Sequence, residues 1–165
     1  MKKLLSMIVT LTLVLSFACS ALATEAVYPL TKSFLSQMDA MDVSYTVIGV
    51  DEDGDECVSI LNAGDAGNKY EIVIYFREDS EAVLFYVWDL ISFSEEYFAD
   101  VLNAVNKFNA DWLYAKAYVE DDNTVTVSLS SKIEESTSAD LVLDMLMSLV
   151  DRVDSAYEYV APYAL

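Results

Sequence analysis

Six runs of β-branched and aromatic residues alternate with a period of two, and they limit what this chain can fold into more than any other feature. Four come in succession: "VSYTVIGV" (Val43 to Val50), "CVSILN" (Cys57 to Asn62), "KYEIVIYF" (Lys69 to Phe76) and "AVLFYVW" (Ala82 to Trp88). Residues two apart share one face of a strand, so such runs suit a sheet with one buried face. The links between them are short and polar, which predicts an antiparallel meander. The last two runs, "LYAKAYVE" and "TVTVSLS", form a second hairpin across Asp121, Asp122 and Asn123.

Between and around the strands the period lengthens to that of a helix. Phe34, Leu35, Met38 and Met41 mark a short helix over Thr31 to Met41. In "SFSEEYFADVLNAVNKFN", Ser92 and Glu95 fit a capping box, and Phe93, Tyr97, Phe98, Val101, Leu102, Val105 and Phe108 fall on one side. A last helix is expected to start near Thr137, capped with Asp140, and to run until Pro162. Its first half, Leu141 to Val150, is apolar on most sides, which calls for cover on more than one face. The expected fold is α+β, an antiparallel sheet with helices packed on it in the order α-β-β-β-β-α-β-β-α.

Residues 1–23 have the form of a signal peptide: Lys2 and Lys3, an apolar run from Leu4 to Phe17, and small residues ending in Ala21-Leu22-Ala23. Cleavage after Ala23 leaves residues 24–165 as one domain, secreted or extracytoplasmic; lipidation at Cys19 is the alternative. The run is too short for a permanent membrane span. Loss of Lys2 and Lys3 takes the net charge from -19 to -21. A surface of that sign repels nucleic acid and anionic lipid.

The stretch Asp51-Glu52-Asp53-Gly54-Asp55-Glu56 invites a calcium reading. Counted as an EF-hand loop from Asp51, it puts Glu56 where glycine is needed and Asn62 where a bidentate glutamate is needed. Two other hairpin tips, "REDSE" (77–81) and "EDDN" (120–123), have the same acidic make-up, so all three are expected to be turns. No metal ligand, cofactor-binding residue or catalytic residue is assigned anywhere in the chain.

Histidine is absent, which removes the commonest general base and zinc ligand. Four glycines assemble neither a phosphate-cradling loop nor a dinucleotide fingerprint. Cys57 is left alone once Cys19 departs; its alternating run makes it a buried strand residue with no basic neighbour to activate it. Trp88, Trp112, Tyr114 and Tyr118 are expected mainly in core packing, with an exposed platform for glycan as the alternative.

The second half, "VLNAVNKFNADWLYAKAYVEDDNTVTVSLSSKI" followed by "LVDRVDSAYEYV", resembles the YbjN domain family of bacterial proteins. The residues that carry the resemblance are Asn106 and Asn109, Lys116, Asp121 to Asn123, Asp154 and Tyr157; the hairpin "YEIVIYFREDSEAVLFYVW" extends it to about residues 40 to 160. The resemblance implies a fold similar to type III secretion chaperones, pairing into dimers, and no enzymatic activity. Read as helix chemistry, Asn109 ends the central helix in a left-handed cap, Asn106 bonds the neighbouring connection, and Asp154 and Tyr157 serve helix solvation and packing. The expectation is an exported, non-catalytic protein-binding or regulatory module that self-associates as a homodimer. The alternative is an extracellular module for a small ligand, calcium or glycan.

Overall fold

A computed structural model describes residues 25–77, 82–132 and 137–165. The signal-peptide expectation and all but the first residue of the "REDSE" tip lie outside them. The described chain runs α1 (Pro29–Ala40), β1 (Thr46–Val50), β2 (Asp55–Ala63), β3 (Lys69–Arg77), β4 (Ala82–Ser92), α2 (Phe98–Asp111), β5 (Ala115–Val119), β6 (Thr124–Lys132) and α3 (Ala139–Val160), with single 3-10 turns at Glu95–Tyr97 and Ala161–Tyr163. This is the expected α+β order. The strands form one antiparallel sheet in the order β1-β2-β3-β4-β6-β5.

Register puts every core-facing strand residue on one side. Val47 pairs with Val58, Val58 with Ile74, Ile74 with Phe85, Phe85 with Leu129, and Leu129 with Ala115. The three helices close over this face. From α3 come Val142, Leu146, Leu149, Val153, Ala156 and Val160, a stripe with helical spacing that is buried along its whole length. From α2 come Val101, Ala104, Val105 and Phe108, and from α1 Phe34, Leu35 and Met38. Phe34 lies against Phe76 of β3, ring centroids 5.6 Å apart.

Helix ends differ from expectation in detail. Ser92 is the last residue of β4 and not a cap, because the strand continues past Trp88 through a kink at Asp89 (φ 52°). The cap of α3 is Ser138, whose side chain accepts from the Leu141 N–H. α2 runs on to Asp111, so Asn109 sits inside it and makes no left-handed cap.

One charged side chain is fully buried on the helix side. Glu56 of β2 accepts the backbone N–H groups of Val27 and, at 2.9 Å, Tyr28, while the Tyr28 hydroxyl donates to the Gly54 carbonyl at 2.7 Å. The carboxylate thereby ties the segment entering α1 to the first hairpin. A buried carboxylate is tolerable only with donors of this kind. Replacing Glu56 by Ala is expected to lower unfolding free energy by about 3 kcal/mol, and by Gln about half as much, since one acceptor survives. Urea unfolding checks this; a loss within about 0.5 kcal/mol for Glu56→Ala would contradict it.

Candidate functional site

The candidate site is a cleft of about 160 Å³ on the helix side, between α1 and α3. Its walls are Met38 and Met41 at the end of α1 and Leu143, Leu146, Met147 and Val150 of α3; Val43, Ile60, Asn62 and Ile72 complete it. The α3 residues form a second stripe beside the core stripe, at i, i+3, i+4 and i+7, and share Leu146 with it. Met147 is 57% exposed and Met41 46%, so the cleft's rim faces water. The apolar circumference of Leu141 to Val150 is thus covered on one side only.

Local geometry holds the α1 wall in place. The chain leaves the helix through Asp42 in the left-handed region (φ 58°), and the Val43 N–H returns to the Met38 carbonyl at 3.0 Å. Gln37 donates to Asp140, tying α1 to the start of α3. Helical spacing sets Asp140, Asp144 and Asp151 as a ridge beside the apolar stripe. Unbranched methionines with a polarizable sulfur adapt to irregular apolar partners, and the acids border them.

Among the described residues, no helix covers the opposite sheet face. Tyr75, Tyr86, Trp88 and Tyr118 stand on it; Tyr86 and Trp88 stack at 4.6 Å, and Tyr75 meets Tyr86 edge-on at 5.8 Å. Trp88 is 44% exposed and Tyr114, in the α2–β5 link, 82%, so these two are not core residues as expected; Tyr118 and Trp112 are half-buried. Cys57 is buried beneath this face, as its run suggested. Burial and the nearby Asp51 carboxylate, 3.7 Å from the sulfur, push its thiol up to about 12, which leaves it unreactive at neutral pH.

Asp51 to Glu56 is a turn. One oxygen of Asp51 accepts the N–H groups of Asp53 (3.0 Å) and Asp55 (2.9 Å), and Gly54 takes a positive φ of 86° that a side chain would resist. Asp122 organises the third tip in the same way, accepting from the Thr124 N–H and hydroxyl. Among the described residues, no three His, Cys, Asp or Glu side chains come together as a metal would need.

The residues behind the family resemblance fall into separate joints. Asn109 reaches from α2 to the sheet edge, donating to the Ala117 carbonyl at 2.8 Å and accepting its N–H at 2.9 Å. Its amide stands in for a neighbouring strand, and Lys116 caps α2 by donating to the carbonyls of Asn109 and Trp112 at 3.1 and 2.9 Å. Asn106 is exposed on α2, and Tyr157 packs half-buried against the core. The backbone carbonyl of Asn123, a residue at positive φ (63°), accepts from the Phe93 N–H at 3.0 Å, tying the β5–β6 turn to the end of β4. Asp154 is not a solvated helix residue: it faces the β2–β3 turn, where a Cβ on Gly64 would come within 2.3 Å of its Oδ1.

Comparison with known proteins agrees with this architecture. A family described as "YbjN: Putative bacterial sensory transduction regulator" matches residues 37–162. The chain belongs to the YbjN family. Among solved structures it is similar to YbjN from E. coli, at 13% identity and a TM-score of 0.62, with 86% of this chain and 99% of that one aligned. It also aligns with the HopA1-SchA chaperone-effector complex (9% identity, TM-score 0.48, 80% of this chain and 99% of that chain) and with the Yersinia Pestis type III secretion chaperone SycH in complex with a stable fragment of YscM2 (11%, 0.46, 77% and 98%). No curated protein sequence matches the chain. Of the residues behind the resemblance, Asn109, Lys116, Asn123 and Asp154 each join one element to another, and none of the four lines the cleft.

Asp154 provides a pH test of the joint on α3. Burial raises its carboxyl above the usual aspartate range, the Asp65 backbone N–H partly opposing the shift, and Asp65, Asp151 and Glu158 add to it. The folded state thus holds the proton more tightly than the unfolded chain, so this group's contribution to stability falls as pH rises from the ordinary aspartate value through the raised one. Asp154→Asn is expected to melt higher than the parent at pH 7 and to lose that advantage near about pH 3. Equal melting temperatures at pH 7 would contradict the assignment.

Proposed function

We propose that this is an exported, non-catalytic YbjN-family module that works by binding protein, and that it self-associates as a homodimer through the α1–α3 cleft. The observation that carries the reading is the second apolar stripe of α3, exposed at Met147 and walled by Met38 and Met41. Such a cleft suits an amphipathic segment presenting apolar side chains at helical spacing. Export rests on the N-terminal pattern of residues 1–23. Cys57, unreactive at neutral pH, supports the non-catalytic reading.

Acids beside the cleft give self-association a particular salt dependence. Two copies bring like charges together, so added salt should strengthen pairing by screening the acids while leaving apolar contact intact. A second reading, glycan binding, is favoured by the Tyr86 and Trp88 pair on the open sheet face. Their mutual stacking occupies one face of each ring, which leaves less surface for a sugar and makes this the lesser reading.

Light scattering on the purified exported protein tests the dimer reading. The dimer reading expects a mass that rises toward twice the monomer with concentration and salt, without response to calcium. Met147→Glu should weaken pairing at least about tenfold, because it buries a charge, yet keep unfolding free energy within about 0.5 kcal/mol of the parent. A monomer at all concentrations, or pairing unchanged by Met147→Glu, would overturn the self-association.

A further inference from the structure

On the other flank of α3 lies a second cavity, of about 240 Å³, between that helix and the link joining α2 to β5. Ala115 and Leu129 belong to the core side of its lining; Trp112, Leu113 and Tyr114 come from the link, and Ser148 and Arg152 from α3. The guanidinium of Arg152 lies over the Trp112 ring, 3.6 Å from its centroid. That contact holds the planar fork by one face and leaves its edge for hydrogen bonds.

Three further facts set this cavity apart. Arg152 is the sole basic residue of α3, which carries Asp140, Asp144, Asp151, Asp154 and Glu158; among the described residues its guanidinium is in no ion pair with any carboxylate. The Asp111 carboxylate, also on the cavity wall, accepts the Tyr159 hydroxyl at 2.6 Å. Beside Arg152, Leu113 and Tyr114 are 83% and 82% exposed, two large side chains in succession held out in water. Tryptophan, tyrosine and arginine are the residues that most often anchor binding.

We propose that this cavity is a binding site for a compact monocarboxylate with an apolar or aromatic body, the carboxylate paired with Arg152 and the body lying against Leu113 and Tyr114. A guanidinium fork with no carboxylate partner among the described residues selects carboxylate geometry, and the apolar part of the lining, Trp112, Leu113, Ala115 and Leu129, selects against small hydrophilic anions. A free carboxylic acid and the C-terminal residue of a peptide present the same chemistry. The site lies on the opposite flank of α3 from the cleft and does not depend on the dimer reading.

The two tryptophans, Trp88 and Trp112, allow a direct test. The probes are phenylacetate, N-acetyl-leucyl-phenylalanine and the amide of that dipeptide, titrated into nitrogen-labelled protein while the indole N–H signals are followed; Trp88→Phe assigns them. Both acids should shift the Trp112 signal saturably at about 1 mM, with Trp88 unmoved and the amide about tenfold weaker or worse. Arg152→Met, which keeps an apolar side chain on Trp112, should bind the acids at least about tenfold more weakly without loss of folding, and Arg152→Lys should fall between. Tighter binding of the dipeptide acid identifies a peptide C-terminus as the source, and tighter binding of phenylacetate a free acid; either supports the site. No saturable shift at Trp112, equal binding of acid and amide, or unchanged binding by Arg152→Met would overturn it.

Discussion

The burial of one stripe of α3 against one face of a six-stranded sheet is the interaction on which the rest of this molecule depends. Val142, Leu149, Val153 and Val160 are almost or entirely without solvent contact, and they meet strand residues contributed by both hairpin groups. Without that helix the sheet's apolar face would be covered only where the two shorter helices lie, and the β1–β4 meander would have little to hold it to β5 and β6 beyond the β4–β6 ladder. Because α3 rides the middle of the sheet, its two flanks become two recesses. One is the methionine cleft toward α1, the other the Arg152 cavity toward α2.

Sheet edges are handled by different means at the two ends. At β5 the Asn109 side chain takes the place of a missing strand at Ala117, and Lys116 secures the helix that carries it. At the other end β1 is short, and its pairing with β2 slips between Val47 and Gly49. Both arrangements limit pairing of one chain's edge with another. Association through the cleft is therefore better founded than association through an edge.

Much of this was legible in the sequence because period is a direct image of backbone geometry. The change from alternation to helical spacing at Ser92 and back again at Leu113 placed the elements, and the all-round apolar start of α3 pointed to the apolar stripe left exposed at Met147. Ends were less legible. A serine before an acidic turn reads as a cap whether or not the preceding strand continues, and Asp89 at positive φ is what lets β4 run on to Ser92. Partners across the sheet were not legible at all, since nothing near Asn109 in sequence says that it will face Ala117. Trp88 was misjudged for a related reason: alternation shows that a residue shares a face with its neighbours at two and four, not which face the helices will cover.

The charge distribution makes the two recesses chemically different. The cleft is apolar with an acidic ridge beside it, whereas the second cavity holds the one cation of α3 against an aromatic ring. The proposed self-association hinges on the apolar excess of α3 at Met147. Spectra of protein labelled at methionine and leucine methyls and at tryptophan indole nitrogen, taken across a range of protein concentrations, test it most directly. Pairing through the cleft predicts that the Met41 and Met147 methyl signals move together as concentration rises, while the Leu84 methyl and Trp88 indole signals on the open sheet face stay fixed. Movement of Trp88 with Met41 and Met147 unchanged would contradict it and place the contact on the other side of the sheet.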